Sequence, residues 1–236
     1  MQDSTWQRWG GAAGILATAC FATESVLLRH SPSTNQPTSD LTGYFSSQPG
    51  NGAGGHVPAG LRHRRLLFFL GALRRRLGRD GPIDGLASVG FAGGVAASAI
   101  VVVAAGMVAV LAFRPDTTPP VARALYDANG LLVAFAGFPV AVLLAASSTA
   151  VLSSGVLPRW LGWFGLAATA AQLAGAASFQ RSGLFMPQGD SVAVQAEVGT
   201  LLLWLVATSI LMLLGSSTRE SGAEGRSAAH IGRELR

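Results

Sequence analysis

"LASVGFAGGVAASAIVVVAAGMVAVLAF", residues 86 to 113, contains no charged side chain. A helix needs about 20 mostly apolar residues to cross a hydrocarbon core, and this run exceeds that length. Three more runs follow: Gly130 to Leu152, Trp160 to Phe179 and Val192 to Leu214. None contains Arg, and only the last holds an acid, Glu197, near its start. An earlier run, Gly10 to Leu28, carries Glu24 near one end, where a carboxylate can reach the interface. Half of the 236 residues are hydrophobic, 12% are charged and mean hydropathy is +0.42, a balance that points to an integral membrane protein. The expected fold class is all-α: a polytopic membrane helix bundle with five spans, at about 10–28, 86–113, 130–152, 160–179 and 192–214, in a membrane domain covering 1–215.

Between Arg29 and Asp84 the composition changes. Residues 29–60, with "SPSTNQPTSD" and "SSQPGNGAGG", read as an irregular solvated loop. Then comes "GLRHRRLLFFLGALRRRLGRD", residues 60 to 80, in which a short apolar run is pinned between arginine clusters. A span ending near Leu73 would have to take in Pro58, Arg62, Arg64 and Arg65. Each central Arg costs about 2.5–3.5 kcal/mol on an insertion scale, and an apolar residue returns only a few tenths. Wound as a helix over 61–78, however, Leu66, Phe69, Leu70, Leu73 and Leu77 share a face, with arginines mostly opposite. The pattern predicts a short interfacial or truncated helix, apolar side in the acyl region, with Arg64, Arg65, Arg74, Arg75, Arg76 and Arg79 on anionic lipid headgroups. Residues 216–236 read as a flexible cytoplasmic tail.

All 17 basic residues are Arg. With the 62–79 cluster inside and the four clear spans alternating, twelve arginines lie on the cytoplasmic side and three, Arg114, Arg123 and Arg181, outside. That asymmetry predicts a cytoplasmic C-terminus in a bacterial inner membrane. Five spans then put the N-terminus outside, and six put it inside. Trp6, Trp9, Trp160 and Trp163 stand where interfacial anchors belong. "GILATAC", ending at Cys20, resembles a lipoprotein cleavage box with Leu16 one position too early, so a retained helix is expected. The basic charge has no interleaved aromatics and does not point to nucleic acid.

Candidate chemistry is sparse. A single cysteine, Cys20, excludes an intramolecular disulfide or a cysteine zinc cage, and the four histidines show no ligand spacing. No P-loop, HExxH, GxSxG or dinucleotide fingerprint occurs, so no cofactor or catalytic residue is expected. Polar groups near membrane depth are the remaining pointers: Glu24, Asp127, Asn129, Gln195 and Glu197. Under six spans the three acids fall at the outer side, where they could hold a cation or a polar small molecule. An ordinary interfacial carboxylate, hydrated or near a helix N-terminus, weighs more. Ser147, Ser148, Thr149 and Gln172 are expected to bond across helices or back to carbonyls, and Pro139 to kink its span. Small residues four apart, Gly10/Gly14 and Gly90/Gly94, suit close helix contact with this chain, a second copy or another membrane protein.

The stretch "RALYDANGLLVAFAGFPVAVLLAASSTAVLSSGVLPRWLGWFGLAATAAQLAGAAS", with the opening "WQRWGGAAGILATACFATESVLL" and the "FFLGALRRRLGRDG" block, resembles uncharacterised multi-spanning membrane proteins of high-GC Gram-positive bacteria, grouped as a domain of unknown function. The resemblance implies six helices with both termini cytoplasmic, the second ending just before the arginine run. It implies no activity, cofactor or catalytic residue. The chain departs from that pattern at "GNGAGGHVPAGLRHRR", residues 50 to 65, where an apolar helix start belongs. Such a composition is what GC-rich DNA yields in a wrong reading frame. The functional expectation is a structural, sensory or accessory membrane protein, not an enzyme; the alternative is an ion-coupled or small-molecule transporter using the membrane-edge carboxylates.

Overall fold

The computed structural model describes residues 2–27, 37–47, 59–78, 81–114, 117–177 and 192–234. Among these there are eight helices and no strand: α1 (Gln2–Leu27), α2 (Thr38–Ser47), α3 (Ala59–Leu77), α4 (Pro82–Phe113), α5 (Pro119–Phe135), α6 (Gly137–Ser154), α7 (Arg159–Ala176) and α8 (Val192–Glu234). The connections follow local chemistry. Gly81 supplies a positive φ of 89° before Pro82 opens α4, and Gly155 ends α6 in the left-handed region, its N–H bonded to Val151 O.

Neighbouring helices alternate in direction. Gln7 meets Arg76 and Cys20 meets Arg65, so α1 and α3 are antiparallel. Gly94 faces Leu70, Gly90 faces Ser147, Gly162 faces Leu152 and Gly175 faces Glu197, which continues the alternation through α4, α6, α7 and α8. The chain closes on itself where Gly11 and Gly14 of α1 meet Ser209 of α8. With α5 and α6 counted as one bent pass, the bundle has six antiparallel passes. The glycines at four-residue spacing make close approaches: Gly10 to Ala72, Gly14 to Phe69, Gly90 to Ser147 and Gly94 to Leu70.

Three passes are long and apolar enough to cross a membrane: Pro82–Phe113, Pro119–Ser154 and Val192–Gly215. That is fewer than the five expected. The run at 160–179 forms an 18-residue helix that begins on Arg159 and contains Gln172, Gly and Ala in place of large aliphatics. The run at 10–28 sits in a helix whose first turns are polar. The remaining expected span, 130–152, is split: α5 ends at Phe135 and α6 begins at Gly137. Pro139 explains the position, because it has no N–H to offer the carbonyl of Phe135 four residues earlier.

The stripe expected on α3 exists, but it faces protein and not lipid. Phe69, Leu70, Leu73 and Leu77 are buried in the main core with Leu143, Leu144, Leu161, Trp204 and Met212. The interfacial placement of this helix is therefore corrected: its apolar face is consumed between α1 and α4. The expected loop at 29–60 also contains a helix, α2, where Leu41 and Tyr44 pack on Val108, Leu111, Ala122 and Tyr126 in a second, smaller core. At the other end α8 continues as helix to Glu234, where composition predicts a loose tail from Ser216.

Candidate polar site at the α5–α6 kink

Three elements converge at the kink. Gly137 opens α6, Gly175 and Ala176 lie in the last turn of α7, and Glu197 projects from the second turn of α8. A Cβ at Gly175 would collide with Glu197 Oε2, and one at Gly137 would lie 2.7 Å from Oε1 and 3.0 Å from Gln172 O. The carboxyl thus occupies space that only two glycines leave open. Glu197 is 8% exposed, and Gln172 Nε2 donates to its backbone carbonyl at 2.6 Å, tying α7 to α8.

The other sequence candidates do not join it. Asp127 lies ten residues before Gly137, about 15 Å along a helix. It pairs with Arg123 one turn away at 3.1 Å. Asn129 Nδ2 donates to Ala104 O at 2.8 Å, a bond from α5 to α4. Gln195 is exposed. Glu24 belongs to α1, and its side chain lies outside the described residues. Among the described residues no group of three His, Cys, Asp or Glu could hold a metal ion.

The arginines divide. Arg64, Arg74 and Arg75 are exposed, with Arg74 also 5.9 Å over the Phe91 ring. Arg65 and Arg76 turn inward: Arg65 Nη1 donates to Cys20 Sγ at 3.3 Å, and Arg76 Nη1 donates to Gln7 Oε1 at 2.9 Å and Met212 O at 3.4 Å. Those two were expected on headgroups and instead clamp α1, α3 and α8, because the face they flank is buried. Arg79 lies outside the described residues.

One polar feature escaped the sequence reading. Thr18, Ser98, Thr149, Thr169, Thr208 and Ser209 all donate to the carbonyl four residues back. Ser148 does not; its hydroxyl and Trp204 Nε1, both wholly buried and without a partner, converge on Gly165. Only the packing of α6, α7 and α8 brings them together, so no local signal existed.

One end of the bundle gathers the exposed tryptophans. Trp6 and Trp9 begin α1, Trp160 and Trp163 begin α7, and these helices start at the same end. Arg8, Arg74, Arg75 and Arg159 lie there too. No protein-family profile, curated protein or solved structure matches the chain.

Proposed function

We propose that this chain is a bacterial inner-membrane protein with a structural, sensory or accessory role, its six passes bringing both ends of the membrane domain to the cytoplasmic side. The observation that carries the reading is the fate of the polar candidates: Asp127 and Asn129 are used within α4 and α5, and Gln172 joins α7 to α8. The Trp- and Arg-rich end supports the orientation, because amphipathic rings favour the interface and arginines the cytoplasmic leaflet, where Arg74 and Arg75 would meet anionic headgroups. The outward faces of α4 and α8, with Val102, Val103, Val110, Leu203 and Leu214 exposed, suit contact with lipid chains. Membership of the uncharacterised family of high-GC Gram-positive bacteria belongs to the same proposal.

Reporter fusions at positions 5 and 80 test the orientation. Both should be active as cytoplasmic fusions, and opposite sides would overturn the six-pass arrangement. For the role, full-length protein in liposomes carrying an internal pH dye should show no proton flux under an imposed gradient. A second reading, an ion-coupled carrier, has one observation in its favour, the buried Glu197; flux that disappears in Glu197→Ala would establish it instead.

A further inference from the structure

Glu197 is the one acid among the described side chains that is both buried and unpartnered. Among the described residues its surroundings supply no compensating charge. On α5 the nearest charged residues, Arg123 and Asp127, pair with each other. No charged residue occurs in α6, α7 carries only Arg159 at its far end, and α8 has no other before Gly215. The backbone makes the position more negative still. Gly175 lies in the last turn of α7, where carbonyl ends carry the negative pole of the helix. Gln172 O borders the same bare face of Gly137 as Glu197 Oε1. A lone carboxylate at that depth, against a helix C-terminus, requires a neutralising partner.

We propose that Glu197, cradled by Gly137 and Gly175, binds one small positive charge, a proton or Na⁺, at the junction of α6, α7 and α8. The site goes beyond the accessory reading and does not rest on it. A proton needs no cavity, and a bare Na⁺ would take the carboxylate and the adjacent Gln172 carbonyl as oxygen ligands. The two glycines serve the site by leaving the carboxyl room that any side chain would fill, and the kink at Pro139 brings Gly137 to it.

A hydrophobic carbodiimide distinguishes the two ions in the detergent-solubilised full-length protein. The protonated carboxyl adds across the reagent's C=N bond, and acyl migration from oxygen to nitrogen leaves a stable adduct that retains all atoms of both. Peptide mass spectrometry should find Glu197 labelled in preference to Asp84 and Asp127, with labelling falling at least about tenfold from acid to alkaline pH, as one-proton titration requires. Suppression by Na⁺ but not by choline at equal ionic strength identifies a Na⁺ site; no effect of Na⁺ identifies a proton site. Gly175→Ala, which displaces the carboxyl, should remove the preference while Glu197→Gln removes the adduct. Absence of a Glu197 adduct at every pH, or labelling no stronger than at the reference acids, overturns the proposal.

Discussion

Gly93→Ala and Gly106→Ala make the same chemical change on the same helix, and they should move stability in opposite directions. A Cβ at Gly93 would lie 2.7 Å from the Pro139 carbonyl oxygen and 2.8 Å from the Leu143 nitrogen, both backbone atoms that cannot rotate away. Ordinary contact begins at 3.4 Å, so α4 and α6 would have to part by about 0.7 Å. Overpacking of this kind costs about 1–3 kcal/mol. Alanine returns about 0.8–1.0 kcal/mol through helix propensity, which leaves a net loss of up to about 2 kcal/mol. At Gly106 an added Cβ meets nothing within 4 Å, so only the propensity gain remains. For a chain of this size about 2–4 °C accompanies each kcal/mol, giving a fall of up to about 8 °C for Gly93→Ala and a rise of about 2–4 °C for Gly106→Ala. Melting followed by tryptophan fluorescence in detergent checks both. Equal melting temperatures for the two variants would refute the close approach of α4 to α6.

Ser148→Ala removes a buried hydroxyl that has no partner and should raise the same melting temperature, a gain of about 1 kcal/mol from the lifted desolvation cost. Asn129→Asp places an acceptor against Ala104 O where a donor stood, and it should melt lower than Asn129→Ala. Arg76→Ala cuts the bonds to Gln7 and Met212 and should lower the midpoint of denaturant-driven unfolding, whereas Arg74→Ala, at an exposed site, should change it little.

Much of the architecture was legible because apolar length and helical periodicity are local properties. The uncharged run at 86–113, the stripe of Leu66 to Leu77, the kink at Pro139 and the paired glycines of α1 and α4 could all be read from spacing. What covers a stripe is not local. Leu70 and Leu73 look the same in sequence whether acyl chains or Leu143 stand opposite, and on that point the interfacial reading of α3 failed. Helix α2 was missed for a related reason: Leu41 and Tyr44 are few anchors in a polar run, and their partners, Val108 to Tyr126, lie over sixty residues downstream. Glu197 was noticed as an acid near membrane depth, but its cradle depends on two glycines from other passes.

The arginines before Leu66 remain the strongest constraint on how α3 reaches its place. Arg65 and Arg76 are eleven residues apart, about 16 Å along a helix, so in the proposed six-pass arrangement, with Arg76 at the interface, Arg65 would stand near the middle of a roughly 30 Å core. A central arginine costs about 2.5–3.5 kcal/mol, and Arg64 beside it is exposed. Burying Phe69 and Leu70 does not offset this as it would in water, because lipid tails are as apolar as the core. What holds α3 is close packing at Gly10, Gly14 and Gly94 together with the Arg65–Cys20 and Arg76–Gln7 bonds, all supplied by neighbouring helices. In the proposed six-pass arrangement, helix α3 would therefore enter the membrane only with α1, as an antiparallel hairpin. Resequencing across codons 45 to 66 decides whether that burden is real: a shifted frame that removes Arg62, Arg64 and Arg65 would let α3 insert alone, and a confirmed frame makes the hairpin the smallest unit able to insert.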